Sequence, residues 1–138
     1  MRVFVDTNII IDFLAERVPF YDAARQLFVL GERPDIYLHT SVVSYSNTAY
    51  IVGKQLSPAA TRGVIGNLYR VLAALPTPAQ AFERAIEDAS FSDFEDSLQH
   101  QTARHHKMDV IVTRNIKDFT ASTVDVMTAD AFAARYDN

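Results

Sequence analysis

The sequence predicts one α/β domain built on a parallel sheet, and three observations carry that expectation. Short apolar runs rich in β-branched residues, Val3-Phe4-Val5 and Val110-Ile111-Val112, are continuous rather than alternating, which suits strands buried on both faces. Between such runs lie longer stretches whose apolar residues recur at helical spacing. Polar groups gather just beyond the strands: Asp6 after the first, Asn115 and Asp118 after the run at 109–113. Open α/β sheets bind their ligands in the crevice beyond the carboxyl ends of the strands.

The elements follow in order. The first strand ends at Asp6; Thr7 and Asn8 are helix-starting residues, and Ile9 to Leu14 continue as a helix. Pro19 is placed in the first turn of a second helix carrying Phe20, Ala23, Ala24, Leu27, Phe28 and Leu30, which Gly31 and Pro34 end. A strand is expected at 36–40, with Ser41 starting a helix over 42–55. Ser57 and Pro58 open a helix expected to run to about 75; Pro76-Thr77-Pro78 breaks it around a very short strand, and 79–89 is helical again. A helix begins in the stretch from Phe91 and reaches about Met108, the strand at 109–113 follows, and 114–119 is a polar loop. A short strand at 124–127 and a closing helix capped by Thr128 complete the chain.

Length and composition narrow the function classes. At 138 residues, 49% hydrophobic and 22% charged, the chain is expected to be a single globular domain over 1–138. It has no cysteine, so neither a disulfide framework nor a thiolate metal site is available. The start reaches an acid by position 6 and no apolar run approaches the ~20 residues of a membrane span. The expectation is a soluble, cytoplasmic protein with no membrane association. The net charge of −4 does not suggest a nucleic-acid binder, but a metal-dependent site concentrates carboxylates and would itself make the balance acidic.

The acids carry the chemistry. On the helix that begins near Phe91, Asp93, Asp96, Ser97 and His100 share a face, while Phe94 and Leu98 point elsewhere. Hard cations such as Mg²⁺ or Mn²⁺ take oxygen ligands, usually one or two carboxylates with waters and substrate phosphate. Asp6, Asp96 and Asp118 would supply such a site if the fold gathers them, and Arg114 and Lys117 could meet phosphate beside it. Each has a plainer role open to it. Asp6 can cap the first helix, Asp118 a turn, and Asp93 can sit at a first helical position where the macrodipole favours an acid. Ser92-x-x-Glu95 has the form of a capping box. His100, His105 and His106 lack zinc-site spacing, no G-x-S-x-G elbow surrounds Ser44 or Ser46, and four glycines leave little room for a phosphate-cradling loop. Phe13, Phe20, Tyr21 and Phe28 are expected in the core.

Taken together, Val5-Asp-Thr-Asn-Ile-Ile-Ile-Asp12, Asp93-Phe-Glu-Asp-Ser-Leu-Gln99 and Val112-Thr-Arg-Asn-Ile-Lys-Asp-Phe119 resemble the PIN-domain (PilT N-terminal) family, in order and over essentially the whole chain. The branch most similar is that of the VapC-type toxins. The resemblance implies a three-layer α/β/α sandwich around a short parallel sheet and a Mg²⁺- or Mn²⁺-dependent ribonuclease. It also implies a homodimer and inhibition by a small antitoxin protein. By position, Asp6, Asp96 and Asp118 match metal-binding acids, with Asp93 a fourth candidate, and Thr7, Asn8 and Thr113 match the polar residues that position them.

Two departures stand out. Many family members carry a Glu on the helix after the second strand, where this chain has Asn47, and an acid where it has Asn115. An amide oxygen can ligate Mg²⁺ but brings no charge. Three firm carboxylates suit one metal ion better than two. Two functions are therefore weighed: an endoribonuclease using metal-activated water, and a PIN-like module that binds RNA or protein without cutting. A phosphotransfer receiver domain fits poorly, because a second acid beside Asp6 and a strand-end lysine are both missing.

Overall fold

The computed structural model describes residues 1–137. Its centre is a five-stranded, all-parallel sheet in the order β3-β2-β1-β4-β5, formed by β1 (Arg2–Val5), β2 (Tyr37–Ser41), β3 (Ala73–Leu75), β4 (Val110–Val112) and β5 (Asp125–Met127). The alternation of side chains along β1 builds the layers. Val3 and Val5 face one core with α1 (Thr7–Leu14), α2 (Tyr21–Leu30), α3 (Val42–Val52), α4 (Pro58–Tyr69) and α7 (Ala129–Tyr136). Phe4 faces the other way with Ile111, Phe91, Ala103 and Phe119, on the side of α5 (Ala79–Glu87) and α6 (Phe94–His105). Val3, Phe4 and Val5 are each fully buried, as a strand covered on both faces requires. The expected α/β/α sandwich is the fold observed.

Strand order places the site. From β1 the chain goes outward to β2 and β3, then returns past β1 to β4 and β5. The order therefore reverses between β1 and β4, and a crevice opens at their carboxyl ends. Asp6 leaves β1 there, still tied to the ladder through its N–H to Val112 O at 3.0 Å, and Thr113 leaves β4 beside it. Among the described residues no helix is long and apolar enough to cross a membrane.

The structure moves several boundaries. The helix from Pro58 stops at Tyr69 instead of reaching residue 75, and the short strand lies at Ala73–Leu75, before Pro76-Thr77-Pro78. An apolar run such as Val71-Leu-Ala-Ala-Leu75 fits either period, and pairing with β2 decides it as strand. Pro19 lies ahead of α2, which starts at Tyr21. The core expectation holds for Phe28 and for Phe13, stacked 4.4 Å from Phe28, but Phe20 is 40% exposed.

The start of α6 also differs from expectation. Asp93, not Ser92, is its N-cap: the Asp93 carboxylate accepts from Asp96 N at 2.9 Å. Glu95 closes no capping box and instead accepts from Asn47 Nδ2 at 2.7 Å. An Asp three residues before an Asp caps as well as Ser92-x-x-Glu95 does, so the sequence pattern alone cannot choose.

Candidate active site

Asp6 is both a cap and a site residue. As N-cap of α1, its Oδ1 accepts from Thr7 N at 2.8 Å, and its Oδ2 accepts from Thr113 Oγ1 at 2.7 Å. Burial raises its pKa most; the bonds from Thr113 and Thr7 pull it down, and the charges of Glu95 and Asp93 push it up, with a net rise. Thr113 is itself held: its oxygen accepts from Asn8 Nδ2 at 3.4 Å and from Asn115 N at 3.1 Å. Asn8 Oδ1 in turn accepts from Arg114 N at 3.3 Å. The first turn of α1 and the loop after β4 are thus stitched into one unit.

A second network fixes α6 against α1. Thr7 Oγ1 donates to Ser44 Oγ at 2.8 Å, Ser41 Oγ donates to Gln99 Oε1 at 2.6 Å, and Gln99 Nε2 donates to Ser44 Oγ. Gln99 is fully buried and stands one turn beyond Asp96, so these contacts set how α6 presents its acid. Sequence reasoning missed Ser41, Ser44 and Gln99 in this role. The whole run from Ser97 to Ala103 is buried, including the five polar side chains of Ser97, Gln99, His100, Gln101 and Thr102, and hydrophobic periodicity cannot find a polar helix in a core. His100, expected on the same face as Asp96, is turned into that core: it stacks on Phe91 at 4.9 Å and accepts from Thr123 N through Nε2 at 3.0 Å.

The crevice is an open cleft of about 470 Å³ that brings together Asp6, Asp93, Glu95, Asp96 and Asp118. Thr7, Asn8 and Asn115 line it too, and its only cation among the described residues is Arg17. Asp96 is half-buried, and its pKa is pushed up to about 7, first by desolvation and then by the charges of Asp6, Asp93, Asp118 and Glu95. Asp118 is exposed on the short 3-10 turn Ile116–Phe119, which buried Phe119 anchors in the second core.

Other expected contributors lie elsewhere. Arg114 does not line the cleft: its Nε pairs with Asp12 Oδ2 at 2.7 Å, and its guanidinium lies 4.1 Å over Phe20. Lys117 is exposed outside the cleft, and Asn47 reaches it only through Glu95. The sequence offered no sign of Arg17, which follows the first helix in an unremarkable loop.

The donor set suits a hard divalent cation. Every side chain able to ligate is an oxygen donor, and the crowding that lifts Asp6 and Asp96 is what a cation would relieve. As placed, no three His, Cys, Asp or Glu side chains among the described residues stand close enough together to hold one ion. A hard cation needs only one or two carboxylates, its other positions being filled by waters and substrate phosphate.

The PIN domain, as a sequence family, matches residues 2–117 of this chain. A curated relative, "Ribonuclease VapC1" of Aquifex aeolicus, is 27% identical over 98% of this chain and 95% of its own length. Among solved structures, VapBC-1 from nontypeable Haemophilus influenzae superposes with a TM-score of 0.73 at 19% identity, covering 94% of this chain and 99% of that one. A toxin-antitoxin complex from Klebsiella pneumoniae gives 0.70 at 22% identity over 92% and 97%. Mycobacterium tuberculosis VapC20, a sarcin-ricin loop cleaving toxin, gives 0.62 at 18% identity over 79% and 86%. At these identities the solved structures speak to the fold.

Proposed function

The chain belongs to the PIN-domain family, and from that premise we propose that it is a metal-dependent endoribonuclease, the toxin of a toxin–antitoxin pair. The observation that carries the reading is the gathering of Asp6, Asp96 and Asp118, from three distant segments, around one cleft at the carboxyl edge of the sheet. Similarity to a VapC ribonuclease over nearly all of both chains supports it, as does structural likeness to toxin–antitoxin assemblies. The family resemblance further implies a cytoplasmic homodimer, and the likeness to toxin–antitoxin complexes supports a small antitoxin as its partner.

Asp6 and Asp96 are the residues that would hold Mg²⁺ or Mn²⁺, with Asp118 and Asp93 on the outer side. The bound ion would polarise the scissile phosphate and lower the pKa of water so that a nucleophile is available near neutral pH. The protein's own part is preorganisation. Thr113 fixes the Asp6 carboxylate, Asn8 fixes Thr113, and Gln99 fixes the helix that presents Asp96. Asp118, the most accessible of the three, would ligate the ion or orient the attacking water.

The test is cleavage of RNA in Mn²⁺ by the parent, Asp6→Asn and Asp96→Asn proteins. Loss of cutting in both variants, with folding intact, supports the assignment; variants that cut as well as the parent end it.

A second reading is a binding module that has kept the fold and given up cleavage. Asn47 and Asn115, amides where the family resemblance leads one to expect acids, favour it. Metal titration separates the two, since a binding module with a decayed site takes up no Mn²⁺ at millimolar concentration.

A further inference from the structure

We infer that Arg17 is the side chain that grips the RNA backbone at the acidic cleft, by pairing with a phosphate next to the one cleaved. The inference rests on the ribonuclease reading and names a contact that reading lacks. Five carboxylates line the cleft, and an RNA strand entering it meets repulsion unless a cation receives it. The two cations that the sequence offered are not there: Arg114 is bound to Asp12, and Lys117 lies outside. Arg17 is exposed, lines the cleft, and has no carboxylate at ion-pair distance among the described residues. A guanidinium left unpaired beside five acids is available to a ligand, and its fork matches two phosphate oxygens.

The backbone shows how Arg17 gets there. Helix α1 ends in a paired turn: Glu16 N donates to Phe13 O at 3.4 Å and Arg17 N donates to Asp12 O at 3.1 Å. Glu16 takes φ 49°, the left-handed conformation that favours glycine. Arg17 O then accepts from Phe20 N at 2.8 Å and from Tyr21 N at 2.7 Å. The main chain of Arg17 is thus pinned on both sides, and only its side chain is free to reach a strand of RNA.

The experiment uses the full chain carrying Asp96→Asn, so that RNA is not consumed, and a labelled single-stranded RNA of mixed sequence in Mn²⁺. Adding Arg17→Ala should weaken binding about tenfold and lower the salt slope of log K by about 0.7, one phosphate contact on a single strand. Arg17→Lys should restore the slope and part of the affinity, Lys117→Ala should change neither, and melting temperatures should stay together. A purely structural Arg17 would shift melting and leave the slope alone. Unchanged affinity and slope in Arg17→Ala overturn the inference, as does an equal loss in Lys117→Ala. Cleavage by the otherwise unaltered chain is scored separately: cutting without an Arg17 effect on binding removes this inference alone, whereas an Arg17 effect without cutting removes the ribonuclease reading and keeps the contact.

Discussion

Thr113 donates its hydroxyl to Asp6 at 2.7 Å, joining the ends of two adjacent strands whose residues lie 107 positions apart. That single bond holds one Asp6 oxygen in place and offsets part of the burial that raises its pKa. Thr113→Val keeps the shape and removes the donor. It should cut Mn²⁺ affinity about 10- to 100-fold, the usual cost of losing a contact behind a metal ligand. Calorimetric titration of Mn²⁺ checks this, and an unchanged affinity would show that Asp6 needs no such support.

Asp96 gives the metal-free protein a pH signature. Its pKa is about 7 in the folded chain against an ordinary 3.8, so the native state keeps a proton that the unfolded chain has lost. Stability from this group is fully present below about pH 4 and is lost as pH rises through 7. Asp96→Asn should therefore be the more stable protein at pH 8 in EDTA, by on the order of 2 kcal/mol after allowing for partial solvation, and the gap should close by pH 4. Urea titrations across this range measure it. Saturating Mn²⁺ should flatten the parent's slope.

The Asp12–Arg114 pair is structural, and its removal should show in folding. Asp12 is fully buried; burial raises its pKa, and the Arg114 charge and contact offset only part of that rise. Arg114→Ala strands that carboxylate, at a cost of about 2–3 kcal/mol at pH 8, the lower end for a broken buried pair because Arg114 is itself partly exposed. With the guanidinium gone the Asp12 pKa climbs further, so stability falls more steeply with rising pH and the loss is smaller at pH 5. Denaturation at the two pH values tests the sign.

Residue by residue, the sequence made legible what depends on local pattern. Continuous β-branched runs gave β1 and β4, and the acids at their carboxyl ends gave Asp6 and Asp118. Asp96 came from its place in the family motif; the structure sets it in the first turn of α6, where the macrodipole also favours an acid. What stayed hidden depends on partners far away in the chain. The ion pair that takes Arg114 depends on Asp12, the role of Gln99 depends on the burial of α6, and Arg17 gains meaning only because α1 ends over the cleft. The capping of α6 failed for a different reason: Ser92 and Asp93 are both competent caps, and one residue of register separates them.

Asn115 tests the charge balance of the site. It lines the cleft, and its amide brings an oxygen without a charge. Asn115→Asp should tighten Mn²⁺ binding several-fold and raise cleavage in limiting metal, while lowering stability in EDTA through repulsion with its acidic neighbours. Equal Mn²⁺ affinity in the two proteins would place the ion away from the loop after β4.

The central claim is that these carboxylates make a metal-dependent cutting site. Its most direct measurement is RNA cleavage by the unaltered chain in Mn²⁺, after removal of metal with EDTA, and after Mn²⁺ is restored, with Asp6→Asn alongside. The account predicts cutting that stops in EDTA, returns with Mn²⁺ and is absent throughout in the variant. Cutting that persists in EDTA, or that Asp6→Asn performs equally well, would contradict it.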